Sequence, residues 1–262
     1  MVAKYLKLTF ILVKQGFMSA FEYRAAFLTQ AIGMMLNDIC WVACWWIYHQ
    51  KFPVVNGWQF EDTMILFGLN CFAFGLFVTF LGGSFDISRM IYRGELDYYL
   101  TFPKNVLWHV ALSNVLFSGV GDIVYGIGAF FVFADPSLEG VIIFMLAAIF
   151  AAIGMFSFMV IVHSISFFVG NFQEAAESIF WTLITFGIYP PSAFKGGLKL
   201  IICTVVPAWF VLIMPVELVR NFEWQNLAIV ALFNIGMLAF AITLFNYGLK
   251  RYESGNLVQA KI

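Results

Sequence analysis

The chain has 262 residues, 62% of them hydrophobic and 11% charged, with a mean hydropathy of +0.90, whereas a soluble globular domain is about half apolar and about a quarter charged. Such a composition excludes a water-soluble enzyme and describes an all-α integral membrane protein. Fourteen Lys plus Arg against 15 Asp plus Glu leave a formal charge of -1, so there is no basic field for nucleic acid and no acidic tail for a solvated partner.

In chain order, residues 1–24 place Lys4, Lys7, Ile11 and Lys14 on one helical face, with Phe10, Val13, Phe17 and Phe21 mostly turned elsewhere. This pattern fits an interfacial helix on the inner leaflet, and equally a basic flank that fixes orientation; both keep the N-terminus inside. The first apolar run, Leu8 to Val13, is short and lacks a small-residue cleavage site before Lys14, Glu22 and Arg24, so the mature chain is expected to keep its N-terminus.

A bilayer core about 30 Å thick needs about 20 apolar helical residues. Five stretches qualify: Ala25 to Tyr48, Thr63 to Phe85, Val106 to Phe133, Val141 to His163, and Leu227 to Leu249. Between the last two, Ala176 to Tyr189 is apolar until Tyr189-Pro190-Pro191 stops it, and Leu198 to Met214 is apolar but holds Pro207 and is followed by Pro215. If only the first of these two pieces spans, there are six spans, and Lys4, Lys7, Lys14, Arg24, Arg89, Arg93, Lys104, Lys250, Arg251 and Lys261 lie inside against Lys51, Lys195, Lys199 and Arg220 outside. If both span, the ratio falls from ten-to-four to eight-to-six. Cytoplasmic loops should carry the excess, so six spans are expected, with both termini cytoplasmic. Residues 191–226 then become outer half-helices that dip in and return, which a membrane tolerates only under cover of protein or a water-filled cavity.

Catalytic chemistry is not expected. No Gly-x-x-x-x-Gly-Lys-Ser/Thr phosphate loop occurs, and His49, His109 and His163 fall near the ends of different spans. Cys40, Cys44, Cys71 and Cys203 sit in apolar runs without Cys-x-x-Cys or Cys/His ligand spacing, so they are read as small buried hydrophobes and no metal site is expected.

The polar residues within spans are the informative ones. Asn37 and Asp38 sit near the middle of the first span and Asp122 near the middle of the third, where a charge costs at least about 2.5–3.5 kcal/mol on insertion scales. They should face protein or water, as lining of a translocation path that favours a cationic substrate or as helix-packing contacts; Gly119, Gly121 and Gly126 around Asp122 permit close helix approach. Trp41, Trp45 and Tyr48 share a helix face and, with Trp46, are read as belt and packing aromatics.

The longest inner loop, residues 86–105, begins as a short amphipathic helix, with Ile87, Met90 and Ile91 on one face and Arg89 and Arg93 on another, and should end at Gly94. The sequence after it, Arg93-Gly94-Glu95-Leu96-Asp97-Tyr98-Tyr99-Leu100-Thr101-Phe102-Pro103, resembles the signature of ABC-2 type permeases, specifically six-span subunits of similar length. Tyr189-Pro190-Pro191-Ser192-Ala193-Phe194 with Val206-Pro207-Ala208 and Met214-Pro215 resembles their outer broken-helix region, and Arg251-Tyr252-Glu253-Ser254-Gly255 their C-terminal end. The resemblance covers nearly the whole chain as one transmembrane domain.

It implies one permease of an ATP-binding cassette exporter in a bacterial cytoplasmic membrane. Two such subunits, identical or related, would pair with two separate cytoplasmic ATPase chains that hold the ATP and Mg, moving a small amphipathic or hydrophobic compound outward. It also implies that the inner loop, through Arg89, Arg93, Glu95, Asp97 and Pro103, seats against the ATPases together with the N-terminal helix. The residues by themselves leave open an ion-coupled carrier using Asp38 and Asp122 as coupling carboxylates.

Overall fold

The computed structural model of the protein describes residues 2–253, apart from 56, 104, 135 and 195 and the side chains of residues 2–4, 6, 20 and 192. Lys104, Lys195, Lys261, the Lys4 side chain and the Ser254-Gly255 end of the C-terminal stretch therefore lie outside the described residues. The fold is all-helical, 83% helix with no strand among the described residues.

α1 (Val2–Glu22) and α2 (Arg24–Lys51) are separated only by Tyr23. α3 (Phe60–Leu81) opens with a capping box in which the Gln59 backbone N–H donates to Asp62 Oδ2 at 2.9 Å, satisfying a donor the helix start leaves orphaned. A 3-10 turn (Gly82–Asp86) leads into α4 (Ile87–Arg93). That helix stops at Gly94, whose φ of 74° is the left-handed conformation a side chain disfavours. There follow α5 (Leu96–Leu100), α6 (Val106–Ala111), α7 (Gly119–Phe133), α8 (Leu138–Ser164), α9 (Ser166–Val169) and α10 (Gln173–Ile188). After a 3-10 turn (Pro191–Ala193) come α11 (Gly197–Thr204), a π-helical turn (Trp209–Ile213), α12 (Met214–Arg220) and α13 (Trp224–Leu249).

Among the described residues four helical stretches are long and apolar enough to cross a membrane: Arg24–Lys51, Phe60–Arg93, Leu138–Val169 and Trp224–Leu249. α11 and the Trp209–Arg220 stretch pass the same test together but bend by 73° at their break, which makes at most five. The expected third span, Val106 to Phe133, is not one helix. It is split into α6 and the 15-residue α7 by residues 112–118. The Ser113 hydroxyl donates to the Val110 carbonyl at 2.7 Å, and a Cβ on Gly82 would lie 2.9 Å from the Asn114 carbonyl. Local side-chain bonding and the close approach of the turn after α3 thus replace a continuous helix there. As a result Asp122 stands in the first turn of α7 rather than mid-span. α10 has 16 residues and ends at the extended Tyr189, because the residue before a proline avoids helical backbone.

α3 forms the centre: 72% of its apolar stretch is buried, against 6% for α2. Gly68 and Gly75 on α3 face Gly126 and Gly119 on α7 so closely that a Cβ on Gly75 would sit 2.6 Å from the Gly119 carbonyl, and one on Gly126 2.6 Å from the Gly68 carbonyl. Small residues let backbones pack directly where lipid provides no hydrophobic drive for association. α8 covers this pair through Phe144, whose ring lies 5.3 Å from Phe72 and 4.6 Å from Phe130. α13 packs behind α8, where Asn234 Nδ2 donates to the Val230 and Phe210 carbonyls at 2.9 and 3.2 Å.

Candidate functional site

Where α2, α3 and α7 meet, with the end of α10 and α12's approach closing the side, a cavity of about 190 Å³ is walled by Trp41, Phe67, Phe74 and Trp181. Two carboxylates and a thiol lie in its lining: Asp38 from α2, Cys71 from α3 and Asp122 from α7. Asp38 and Asp122 are each 2% exposed. Their oxygens and Cys71 Sγ lie within 4.8 Å of one another, with Sγ donating to Asp38 Oδ1 at 3.7 Å. Asn70, one residue from Cys71, donates Nδ2 to the Gly187 carbonyl at 2.9 Å and so ties α3 to the end of α10. Among the described residues, Asp38 Oδ2, Asp122 Oδ2 and Asn70 Oδ1 are buried without a hydrogen-bond partner, and no Lys, Arg or His lines the cavity. Desolvated acceptors without donors are costly, so the arrangement favours a proton or a cation at this place.

Several expectations shift here. Asn37 also lines the cavity but is exposed. Cys71 is buried as expected, whereas Cys40 and Cys44 are exposed on α2 because that helix leaves most of its surface uncovered. Trp45 is buried and packs as expected, Trp46 and Tyr48 are exposed at 55% and 41%, and Trp41, Trp45 and Tyr48 also line a second cavity of about 290 Å³. The second cavity shares Trp41 with the first and continues to Tyr189 and Pro190.

At the end of the molecule where α3 finishes, loop 86–105 is bound to its neighbours by polar contacts. The Ser88 backbone N–H donates to His163 Nδ1 at 3.4 Å and its hydroxyl to the His163 carbonyl at 3.1 Å. The Arg89 backbone N–H donates to Gln173 Oε1 at 3.0 Å, and Gln173 Nε2 donates to the Phe85 carbonyl at 2.9 Å and to Glu177. The Arg89 guanidinium is held by Asp86 at 2.8 Å. Arg93 and Glu95 form a loose, exposed ion pair at 4.0 Å, and Pro103 is exposed beside them in sequence. Asp97 faces Tyr252 from the far end of the chain: burial and the Asp97 carboxylate push the Tyr252 hydroxyl up to about 12. It therefore stays protonated at neutral pH. α1 joins the same surface, since the Asn105 N–H donates to the Tyr5 hydroxyl at 3.3 Å and Trp108 Nε1 to Thr9 Oγ1 at 3.2 Å.

At the opposite end, the Tyr189 ring packs on Trp45 at 5.9 Å. Pro190 is buried, Pro191 starts the 3-10 turn, and buried Pro207 and Pro215 flank the π-helical turn. Arg220 closes this end by binding Asp62 at 2.7 Å and Glu217 at 3.0 Å while lying 4.1 Å over the Trp58 ring.

Several membrane-length apolar helices around a largely apolar cavity that holds two buried acids define a multi-pass membrane protein. The chain belongs to the ABC-2 family of transporter proteins, whose pattern matches residues 32–255. It is accordingly a membrane permease of an ABC transporter, with no ATP-binding motif of its own. No curated protein and no solved structure matches it.

Proposed function

We propose that this permease is a six-span subunit of an exporter that carries small amphipathic or hydrophobic compounds, of drug or toxic-cation type, out across a bacterial cytoplasmic membrane. It works with a second permease, identical or related, and with two cytoplasmic ATPase chains that bind the ATP and Mg. The cavity at Asp38 and Asp122, which shares Trp41 with the neighbouring chamber that reaches Tyr189, is the observation that supports this reading most directly. An acidic, aromatic-walled site with no basic residue among its described lining suits a lipophilic cation. α7 and α10, short of about 20 residues, cross where the bilayer thins or protein covers their ends, and residues 191–226 dip into the outer leaflet and return. Both termini are cytoplasmic.

In this mechanism Arg93, Glu95, Asp97 and Pro103 seat on the ATPases beside α1, with Arg89 holding α4 through Asp86. Exposed charges set register more than affinity. When the ATPases close on ATP they displace loop 86–105. Ser88–His163 and Gln173 make that loop continuous with α8 and α10, so the displacement reaches the helix that ends beside the cavity at Gly187 instead of being absorbed locally. The Asn70 bond to Gly187 then carries it to α3.

The test uses inside-out vesicles holding the permease with its co-purified ATPase and a fluorescent lipophilic cation. ATP should drive dye uptake, and Glu95→Ala with Asp97→Ala should abolish it while leaving membrane insertion intact. Asp38→Asn should lower the ratio of cationic to neutral dye carried. Uptake by the permease alone under an ion gradient, with no ATPase present, would overturn the reading in favour of an ion-coupled carrier.

A further inference from the structure

We propose that Asp38, Cys71 and Asp122 together bind a divalent, thiophilic metal ion of the zinc kind inside the cavity. Three elements distant in sequence bring one carboxylate, one thiol and a second carboxylate to a single point, with all donor atoms within 4.8 Å of one another. In a tetrahedral site with metal–oxygen and metal–sulfur bonds of about 2.0–2.3 Å, neighbouring donors stand about 3.5 Å apart. The 3.7 Å between Cys71 Sγ and Asp38 Oδ1 is already near that edge length. The thiol selects the metal: Mg and Ca take oxygen donors, whereas zinc-like ions accept sulfur alongside carboxylate.

Asn70 supplies a separate observation. It is 8% exposed, it lines the same cavity, its amide is fixed by the Gly187 carbonyl, and its Oδ1 is buried without a partner. An unpartnered carbonyl-type acceptor in the same cavity as two unpartnered carboxylate oxygens, with no basic side chain among the described lining residues, calls for a positively charged ligand. On binding, the Cys71 thiol gives up its proton to solvent, so a divalent ion offsets two of the three negative charges of the thiolate and carboxylates and leaves a fourth position for Asn70 or for a molecule in the cavity. The inference goes beyond transport of an organic compound and is measured on the permease without an ATPase, so failure of either reading leaves the other standing.

The experiment is a titration of the full chain, with Cys40, Cys44 and Cys203 replaced by Ser, in lipid nanodiscs with cobalt(II), followed by displacement with zinc(II). One cobalt per chain with a sulfur-to-cobalt charge-transfer band is expected. Cys71→Ser should remove the band, and Asp38→Asn with Asp122→Asn should weaken binding by about 100-fold or more. No band in the Cys71-only chain, or a band unchanged in the Asp-to-Asn pair, would overturn the proposal. If the Ser background fails to fold, zinc-edge X-ray absorption on the natural chain replaces it. A shell with one sulfur and the rest oxygen or nitrogen supports the site, and a shell without sulfur overturns it.

Discussion

The joint at loop 86–105 and the cavity at Asp38 treat buried polar groups differently. At the joint, Ser88 is matched twice to His163 and Gln173 bridges Phe85, Arg89 and Glu177. In the cavity, three buried oxygens on Asp38, Asn70 and Asp122 have no such match. Cross-links between segments rigidify the joint even though His163 Nε2 stays without a partner, while unsatisfied carboxylate oxygens hold free energy that only a ligand or a proton releases. The difference separates a part built to transmit force from a part built to receive something.

The contrast breaks most completely at α3, which serves both regions. Gly75→Leu would drive a side chain into the backbone of Gly119, costing about 3 kcal/mol or more; loss of the monodisperse peak in fluorescence-detected size-exclusion chromatography is the expected result. At the closed end, Arg220→Ala leaves Asp62 and Glu217 without their shared cation. It should destabilise by about 2 kcal/mol, read as a lower melting temperature by the same chromatography after heating. Ser88→Ala removes one hydroxyl bond at the joint, and a loss of about 1 kcal/mol is expected, with weaker stimulation of ATP hydrolysis by cargo. The cavity should respond with the other sign. Asp122→Asn keeps the shape but removes a buried, unpaired acid, so the melting temperature should hold or rise slightly while cationic dye transport falls. A melting temperature that drops as far as in Ser88→Ala would erase the distinction between the two regions.

Parts of this arrangement were legible in the sequence and parts were not. Gly94 announced the end of α4 because a left-handed residue after an amphipathic turn has few alternatives to glycine. Asp38 and Asp122 stood out because an acid in an apolar run is costly in any context. Their meeting with Cys71 did not, since the three residues lie on three helices and the run Asn70-Cys71-Phe72 has no ligand spacing. The break at residues 112–118 was equally hidden: Ser113 and Asn114 are tolerable in a span, and only the approach of Gly82 and Gly83 after α3 makes an unwound segment the better solution. Burial of Trp45 against Tyr189 likewise depends on a partner far along the chain.

The glycine seam between α3 and α7 constrains how this molecule can move. Two backbones already in van der Waals contact have no slack for sliding or twisting, so α3, α7 and the aromatic cover from α8 must travel as one piece. α2, with almost all of its apolar length uncovered, meets that piece mainly along Gly121 and the cavity wall. Gly121 makes the same kind of contact with α2, where a Cβ would lie 2.3 Å from the Ala31 carbonyl, so α2 is pinned to the block at that point and can move only by pivoting about it, which shifts the wall that carries Asp38.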